Sequence, residues 1–298
     1  MIDPPVRVFQ SGAFEVAALA AAKGDQRVSV CLPARNEEPT VGPIVNAIRQ
    51  TLVDQHALVD EIVVIDDHSD DRTAIVAADA GARVVAAHEV LGDCEIGPGK
   101  GAALWKSLFA SKGDLVVWCD ADLLDFDPNF VVGLLGPLLT ETDIGFVKAF
   151  YDRPLDGRPR GGGRVTELVA RPALALLFPA LGSVVQPLAG EYAGRRTVLE
   201  QVPFVQGYGV DIALLIDIAA RFGAASIGQI DLGVRVHRNR PIEELAPMAA
   251  EVLSTALRRA DPDLVTQPRW LTRPGHEPFE IDLHELPPLV GLPAYRAR

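Results

Sequence analysis

The sequence predicts an α/β protein in which helices cover both faces of a mostly parallel sheet. Two observations carry this prediction. Short apolar runs alternate with segments of helical spacing along the first half of the chain, and several of these runs are apolar at every position. Such runs are typical of parallel strands that are buried on both faces of a sheet. With 298 residues, the chain is long enough to bury a sizeable core.

The first half supplies alternating strands and helices. Strands are predicted over residues 28–32, 61–66, 83–87 and 114–120, and helices over residues 40–52, 70–80 and 101–111. The runs at 61–66 and 114–120 both end in carboxylates. Because ligands of parallel sheets bind at the carboxyl ends of the strands, these acidic ends mark a candidate site.

The second half is less regular and contains more helix. Strands are predicted over residues 145–151 and 225–231, and helices over residues 164–177, 209–222 and 241–259. From residue 261 onward prolines accumulate and the periodicity fades. We therefore expect one domain over residues 1–260, with a helical region in its second half, and a C-terminal extension or arm over residues 261–298.

Charge excludes some classes of partner. Lys and Arg number 28 against 40 Asp and Glu, which gives a formal charge of −12. This balance argues against nonspecific nucleic-acid binding and against a polybasic membrane anchor. The longest uncharged stretch, residues 172–190, is interrupted by Pro179, Gly182 and Pro187, so we interpret it as a buried helix and a turn. We expect a cytoplasmic protein without stable membrane insertion.

Four polar clusters follow the predicted strands or open a helix. They are PARNEE at 33–38, DDHSDD at 66–71, PGKG at 98–101 and DAD at 120–122. Side chains two residues apart at a strand end point to the same side, so Asp120 and Asp122 can face one ligand. Their oxygens suit Mg²⁺ or Mn²⁺, and Lys100 can reach phosphate oxygens or a base edge. The clusters predict a nucleotide-diphosphate site with a divalent cation.

A glycine-rich segment predicts a second anion site. Gly161, Gly162 and Gly163 lead directly into the helix that starts at Arg164. Backbone N–H groups, the Arg164 fork and the Thr166 hydroxyl together form a cradle for a phosphate group. The segment Arg238-Asn239-Arg240 can supply a second polar wall for a phosphorylated carboxylate.

The order of these clusters resembles that of GT-A glycosyltransferases, whose fold is a Rossmann-like, mostly parallel sheet. Four further segments resemble glucosyl-3-phosphoglycerate synthases and the related mannosyl-3-phosphoglycerate synthases of actinobacteria: GGGRVTELVARP at 161–172, QPLAGEY at 186–192, GYGVDI at 207–212 and LGVRVHRNRP at 232–241. The resemblance covers roughly residues 28–260. It implies a nucleotide-sugar half over residues 28–122, an acceptor half over residues 144–260, and a homodimer.

The resemblance also implies roles for individual residues. The implied catalytic residues are Asp120, Asp122, Leu188 and Asp211. The implied nucleotide-sugar contacts are Pro33, Ala34, Arg35, Glu37, Asp67, Lys100, Asp120, Ala121, Tyr208 and Asp211. The implied acceptor contacts are Gly163, Arg164, Val165, Thr166 and Asn239. Asp122 and His237 are the implied protein ligands of a Mg²⁺ or Mn²⁺ ion.

The implied activity is transfer of glucose from UDP-glucose to the 2-hydroxyl of 3-phosphoglycerate, with retention of anomeric configuration. Three residues depart from the glucosyl-transferring pattern: Arg35 replaces a leucine, Asp67 replaces a serine that contacts the base, and Asp211 replaces a glutamate. These changes leave the donor open, so GDP-mannose, or use of both donors, remains an alternative to UDP-glucose.

Three other functions share part of the pattern. A polyprenyl-phosphate sugar transferase has a similar front half, but neither membrane helices nor an amphipathic basic surface is evident. A nucleotidyltransferase would carry a glycine- and arginine-rich loop after the first strand, where this chain has PARNEE. A non-catalytic binding protein is disfavoured by the intact D-x-D and His237.

Overall fold

The structure is a computed structural model that describes residues 6–91, 96–97, 99–154, 163–235, 241–266, 269–282 and 284–297. Its strands are β1 (Arg7–Gln10), β2 (Val28–Ala34), β3 (Glu61–Asp66), β4 (Arg83–Ala86), β5 (Leu115–Trp118), β6 (Phe146–Asp152), β7 (Tyr192–Arg195), β8 (Phe204–Val205), β9 (Ile227–Val234), β10 (Arg269–Leu271), β11 (Phe279–Ile281) and β12 (Glu285–Leu286). Its α-helices are α1 (Val16–Lys23), α2 (Glu38–Ile48), α3 (Thr73–Asp79), α4 (Lys100–Ala110), α5 (Asn129–Thr140), α6 (Arg171–Leu177), α7 (Arg196–Leu199), α8 (Val210–Phe222), α9 (Ile242–Ala260) and α10 (Pro293–Arg296).

Eight of these strands form one central sheet in the order β1-β9-β6-β7-β5-β2-β3-β4. Among the described strands of this sheet, β7 alone runs antiparallel to its neighbours, β5 and β6. All other neighbouring pairs are parallel. The predicted α/β fold with a mostly parallel sheet is therefore confirmed.

Two apolar layers cover the sheet. One layer packs the side chains of α4, α8 and α9 on one face, with Trp105, Trp118 and Phe146 among its buried members. The other packs α2 and α5 on the opposite face, with Leu32 and Ile44 fully buried. Burial on both faces explains why β2, β3 and β5 are apolar at successive positions.

The predicted strands and helices of the first half are present with small shifts at their ends. One such shift is in α3, which begins at Thr73 and not at Asp70. The reason is local: the Asp71 carboxylate accepts the backbone N–H of Thr73 at 2.9 Å, so the residues before Thr73 form a turn. The strand β2 extends through Pro33 to Ala34, two residues beyond the prediction.

Several elements were absent from the prediction, among them β1, α1, α5 and β7 of the sheet and its layers. The helix α5 contains Gly133, Gly136 and Pro137, which are poor helix formers, and it forms because its apolar side chains are buried against the sheet. The strand β7 has only four residues and takes its extended form from pairing on both edges.

The predicted helix at 164–177 is present as a π-helical turn at Thr166–Ala170 that continues into α6. Its burial differs from the interpretation above, because Leu174 is buried whereas Leu176 is 80% exposed. Among the helices in the described part of the chain, none is long and apolar enough to cross a membrane.

The C-terminal residues pack against the sheet domain. The strand β12 pairs antiparallel with β8, and the indole N–H of Trp105 in α4 donates to the carbonyl of Pro287 at 2.8 Å. Leu286 and Leu289 are each 1% exposed and belong to the apolar layer around α4. The hairpin of β10 and β11 lies against α9.

Candidate active site

The polar clusters that follow the strands meet at one edge of the sheet. There they line a cavity of about 660 Å³, together with residues from the starts of α4 and α8 and from the segment that precedes α6. Every implied site residue within the described part of the chain lines this cavity: Pro33, Ala34, Arg35, Glu37, Asp67, Lys100, Asp120, Ala121, Asp122, Gly163, Arg164, Val165, Thr166, Leu188, Tyr208 and Asp211. His237 and Asn239 lie outside the described residues, as do Arg238 and Arg240.

The loops after β2 and β3 are tied to each other. Asn36 has a positive φ of 58°, which asparagine tolerates better than most residues. Its backbone N–H donates to the Ser69 hydroxyl at 3.0 Å, and its side-chain oxygen accepts the N–H of Asp70 at 2.8 Å. The backbone N–H of Glu37 donates to the Thr73 hydroxyl at 2.8 Å. These bonds fix the two loops as one rigid wall of the cavity.

Asp67 joins this wall to the start of α4. Its side chain is nearly buried, and one carboxylate oxygen accepts the backbone N–H of Gly99 at 3.0 Å. The other oxygen lies 3.0 Å from Nδ1 of His68. The carboxylate thus holds the residue before Lys100 in place, which is one use of the aspartate that departs from the family pattern.

Under the cavity, carboxylates and cations alternate in a continuous chain of ion pairs. We call this the ion-pair chain, and its members in order are Lys148, Asp211, Lys100, Asp120, Arg235 and Glu191. Asp122 branches from it, with Oδ1 3.8 Å from Nη2 of Arg235. Each inner member of the chain lies between two side chains whose charge is opposite to its own. These neighbours stabilise charges that would be costly to bury alone.

Two lysines hold the Asp211 carboxylate. Nζ of Lys100 lies 3.1 Å from Oδ2, and Nζ of Lys148 lies 3.5 Å from Oδ1. Lys148 is 1% exposed and its ammonium lies 4.0 Å from the centre of the Tyr192 ring. Burial lowers the pKa of Lys148 to about 8, and Asp211 offsets only part of this effect. For Lys100, burial acts in the same direction, but Asp120 and Asp211 raise its pKa above the ordinary value.

Asp120 and Asp122 follow β5 and converge on the cavity. Burial, and then the neighbouring charge of Asp120, raises the pKa of Asp122. Burial and Asp122 likewise raise the pKa of Glu37. Gly190 packs directly against the Asp120 carboxylate, where a Cβ atom would overlap it. The glycine of the QPLAGEY segment therefore makes room for the first aspartate of the D-x-D pair.

This carboxylate group fits a hard divalent cation. The side chain of Asp122 is 55% exposed to solvent, so an ion can reach it. The negative charge of Asp120 disfavours the ionised form of Asp122, and a cation bound there would relieve this repulsion. The described residues include no set of three His, Cys, Asp or Glu side chains that could hold a metal by itself. The second implied protein ligand, His237, lies outside the described residues.

On the other side of the cavity, Tyr151 connects three charged side chains. Its hydroxyl donates to Oε2 of Glu191 at 2.9 Å and accepts from Arg235 at 2.9 Å and from Arg153 at 2.8 Å. Arg235 also pairs with Oε1 of the fully buried Glu191. Burial raises the pKa of Tyr151, and Glu191 raises it further, so the hydroxyl stays protonated and keeps donating.

The glycine-rich segment borders this side. Gly163 has a φ of 75°, in the left-handed region that glycine adopts without strain. The chain then enters the helix through Arg164 and Val165, and Thr166 is 4% exposed at the start of the π-helical turn. This is the place at which the sequence predicts the phosphate cradle.

A further group of cavity residues received no role from the sequence, although Gly99 and Gly207 lie within the motifs PGKG and GYGVDI. The group consists of Gly99, Ala103, Arg153, Gly207, Leu245, Met248, Glu251, Val252, Phe279, Glu280 and Asp282. The α9 residues among them are spaced by three or four, which is a helical-face signal. Glu251 accepts the backbone N–H of Tyr208 at 2.7 Å, and burial raises the pKa of this glutamate. No local signal marks the β11 residues.

The chain matches the model of glycosyl transferase family 2 over residues 29–202, which is more than half of its length. It is 43% identical over 292 residues to the glucosyl-3-phosphoglycerate synthase of Petrotoga mobilis, which covers 93% of this chain and 90% of that protein. It is 53% identical over 248 residues to the enzyme of the same name from Mycolicibacterium smegmatis, with 82% of this chain and 81% of that protein covered.

Solved structures agree with these relatives. The crystal structure of glucosyl-3-phosphoglycerate synthase from Mycobacterium tuberculosis in complex with phosphoglyceric acid matches with a TM-score of 0.88 at 45% identity, over 97% of this chain and 99% of that one. The same enzyme in complex with Mn²⁺, UDP-glucose and phosphoglyceric acid matches with a TM-score of 0.87 at 44% identity, with the same coverage. The chain therefore belongs to glycosyl transferase family 2 and, within it, to the glucosyl-3-phosphoglycerate synthases.

Proposed function

We propose that this protein transfers glucose from UDP-glucose to the 2-hydroxyl of 3-phosphoglycerate, with retention of configuration. The observation that carries the proposal is that one cavity is lined both by Lys100, Asp120 and Asp122 and by the Gly163–Thr166 segment. A nucleotide-sugar site and a phosphate cradle therefore open into the same space. The relatives named above support the same reaction, since the Mycobacterium tuberculosis enzyme was crystallised with phosphoglyceric acid and, in a second structure, also with Mn²⁺ and UDP-glucose.

On the donor side, the rigid wall formed by the loops after β2 and β3 holds the uridine. Pro33, Ala34, Arg35 and Glu37 line it from β2, and Asp67 lines it from β3. The Asp67 carboxylate has lone pairs left for a base N–H, because it accepts single bonds from its two protein partners. Lys100 reaches the base edge, and Asp120 accepts from the ribose.

The hexose lies against Leu188 and Asp211, with Tyr208 and Ala121 at its sides. Asp211 accepts hydrogen bonds from hexose hydroxyls, since the two lysines fix its carboxylate in one orientation. Asp122 and His237 would hold a Mg²⁺ or Mn²⁺ ion, which when bound supplies positive charge beside the leaving diphosphate.

On the acceptor side, backbone N–H groups after Gly163, the Arg164 guanidinium and the Thr166 hydroxyl hold the phosphate, and Asn239 adds a contact. This arrangement places the 2-hydroxyl beside the anomeric carbon. The bond from the anomeric carbon to the diphosphate oxygen breaks, and the bond to the acceptor oxygen forms on the same face. The hydroxyl proton passes to the departing UDP, so no protein base is needed.

The decisive experiment is a donor competition. Purified protein is incubated with 3-phosphoglycerate and UDP-glucose, GDP-mannose or ADP-glucose, with and without a chelator, and nucleotide release and product are measured. We expect release of UDP that requires 3-phosphoglycerate and is abolished by the chelator. Preferential turnover of GDP-mannose would assign the donor to the mannosyl alternative, and release independent of the acceptor would overturn the proposed reaction.

We also propose that the enzyme acts in the cytoplasm as one catalytic domain over residues 1–260. Residues 28–122 form its nucleotide-sugar half, residues 144–260 form its acceptor half, and residues 261–298 are a C-terminal extension. The three cysteines are too few for a disulfide scaffold, and Cys31 and Cys119 are buried free thiols, which agrees with a reducing compartment.

A homodimer is the proposed assembly. Leu168 is 70% exposed and Leu176 is 80% exposed on the helical segment before and within α6, and we propose that a second copy covers these apolar side chains. We expect light scattering to show a dimer, and Leu176→Asp to shift it to a monomer because a buried charge would be unpaired. Ile75→Asp, at a 54% exposed position in α3, is the matched control and should stay dimeric. A monomer in the unaltered protein would contradict the assembly.

A further inference from the structure

Arg153 is held rigidly at the edge of the cavity. It directly follows β6, and its Nη2 donates to the Tyr151 hydroxyl at 2.8 Å. Its guanidinium carbon also lies 5.0 Å from the centre of the Tyr151 ring. Because the same hydroxyl is fixed by Glu191 and Arg235, the guanidinium is anchored before any ligand arrives. A cation whose position is fixed in advance loses little entropy when it binds an anion.

This anchored guanidinium still has an N–H donor without a hydrogen-bond partner among the described residues. Its Nε atom is buried and has no hydrogen-bond partner among the described residues. An arginine carries five N–H donors, and a buried donor without an acceptor costs free energy that the folded state must offset elsewhere. An acceptor supplied by a ligand would satisfy this N–H group.

The surroundings of Arg153 belong to the acceptor side. Arg153 lines the cavity together with Gly163, Arg164 and Thr166. A Cβ atom placed on Gly163 would lie 3.6 Å from Cδ of Arg153, so the arginine side chain passes directly beside the glycine that opens the phosphate cradle. Arg153 and Arg164 thus both line the cavity, and Arg153 lies beside Gly163.

The acceptor of the proposed function carries two anionic groups, a phosphate and a carboxylate, on either side of the reacting hydroxyl. The cradle at Gly163–Thr166 accounts for the phosphate. A carboxylate accepts hydrogen bonds from a guanidinium in a planar, paired geometry, which makes arginine the best-suited side chain for the second group.

We propose that Arg153 binds the carboxylate of the acceptor and thereby selects a phosphorylated acid over a phosphorylated alcohol. This inference rests on the proposed function and refines the acceptor side of the same site. Arg153 donates from Nε and from one N–H of Nη2, which point in the same direction, to the two carboxylate oxygens, while the other N–H of Nη2 is held by Tyr151. The carboxylate is thus aligned from the side of β6, and the phosphate from the side of α6.

The test compares two acceptors that differ in the carboxylate, 3-phosphoglycerate and glycerol 3-phosphate, each with UDP-glucose. Arg153→Gln should raise KM for 3-phosphoglycerate about 20-fold, because a charge-assisted hydrogen bond is lost. The kcat/KM for glycerol 3-phosphate should change by less than about threefold, since its alcohol makes no such bond. Arg153→Lys should fall between these values, because it keeps the charge without the paired geometry.

Arg171→Gln is the matched control. Arg171 belongs to the helical segment that follows the cradle, but it pairs with Glu167 on the exposed surface at 3.0 Å and should leave both acceptors unaffected. Circular dichroism and UDP binding of the Arg153 variants should equal those of the unaltered protein. Equal losses with both acceptors, or no loss with either, would overturn the assignment of the carboxylate.

Direct calorimetry of 3-phosphoglycerate separates this inference from the proposed reaction. If the unaltered protein binds 3-phosphoglycerate but transfers no glucose to it, the proposed function fails, and the affinity ratio between the two acceptors still tests Arg153. If transfer is present and Arg153→Gln leaves that ratio unchanged, the function stands and the inference fails.

Discussion

Replacing Asp122 by asparagine should lower kcat for glucose transfer about a thousandfold. The carboxylate is the described member of the implied metal-ligand pair, and the amide that replaces it carries no charge to retain a divalent cation. Without the cation, less positive charge offsets the negative charges of Asp120 and Glu37. These carboxylates then repel the departing diphosphate. Nucleotide release at saturating Mg²⁺ or Mn²⁺ measures the loss.

The same variant should not lose stability. Burial and Asp120 both raise the pKa of Asp122, so its ionised form is disfavoured in the folded protein. Removing the charge relieves this repulsion, and the melting temperature should stay the same or rise. Direct titration with Mn²⁺ should show weaker binding.

Asp125→Asn, in the same loop and outside the cavity lining, is the control and should retain activity. Activity within tenfold of the unaltered enzyme, together with unchanged Mn²⁺ affinity, would show that Asp122 is not the ligand.

Replacing Lys148 by methionine should lower kcat about 100-fold while preserving the folded protein. Lys148 holds Oδ1 of Asp211, and a misplaced Asp211 carboxylate no longer meets the hexose hydroxyls in the productive geometry. Lys148 is therefore a positioning residue. Asp211 loses one partner and keeps Lys100, but the variant also removes an ammonium that burial disfavours, so we expect the two effects on the free energy of unfolding to offset each other. Lys23→Met, at a nearly buried lysine that pairs with Asp60 away from the cavity, should keep full activity.

The pH dependence identifies the charge of Lys148 as the cause. Groups facing its ammonium are Asp211 from α8, Lys100 from α4, and Glu191 and the Tyr192 ring next to and within β7. Since burial lowers the pKa to about 8, the charged form is present below that pH and is lost above it. We expect kcat of the unaltered enzyme to fall as the pH rises through about 8, and the methionine variant to lack this step.

Stability should respond in the opposite direction. The ammonium is disfavoured in the folded state at every pH below about 8, and this cost disappears as the pH rises toward 10.5, the ordinary pKa of a lysine. The contribution of Lys148 to the free energy of unfolding therefore increases over that range. Denaturant unfolding of the unaltered protein and of Lys148→Met at several pH values measures this contribution. If the free energy of unfolding depends on pH identically in the two proteins, the prediction is contradicted.

The donor half of the candidate site was predictable because its signals are local. Asp120 and Asp122 directly follow a strand that is apolar at every position, and Lys100 opens a helix between two glycines. The carboxyl ends of parallel strands share one edge, so the sheet topology alone brings these clusters together. The order of strands, the cavity and the family agree with that prediction, whereas the individual roles of the residues remain predictions.

The buried partners were not predictable, because each depends on pairing across long chain distances. Lys148 lies between Val147 and Ala149, where a single lysine in an apolar strand is typical of an exposed edge position. Its partner, Asp211, is 63 residues away. Glu191 and Arg235 are likewise 44 residues apart. Tyr192 lies on β7, and this strand forms only because β5 and β6 pair with both of its edges.

The ion-pair chain runs without interruption from Lys148, beside the proposed hexose contact Asp211, to Glu191, which Tyr151 joins to Arg153. We expect that a nucleotide whose base draws Lys100 weakens the pairing of Lys100 with Asp120, so that Arg235 pairs more strongly with Asp120 and less with Glu191. We therefore expect donor binding and acceptor binding to be coupled through these shared counterions. Linkage requires this coupling to be reciprocal, so the factor by which bound nucleotide changes the affinity for the phosphorylated acid equals the factor by which the acid changes the affinity for the nucleotide.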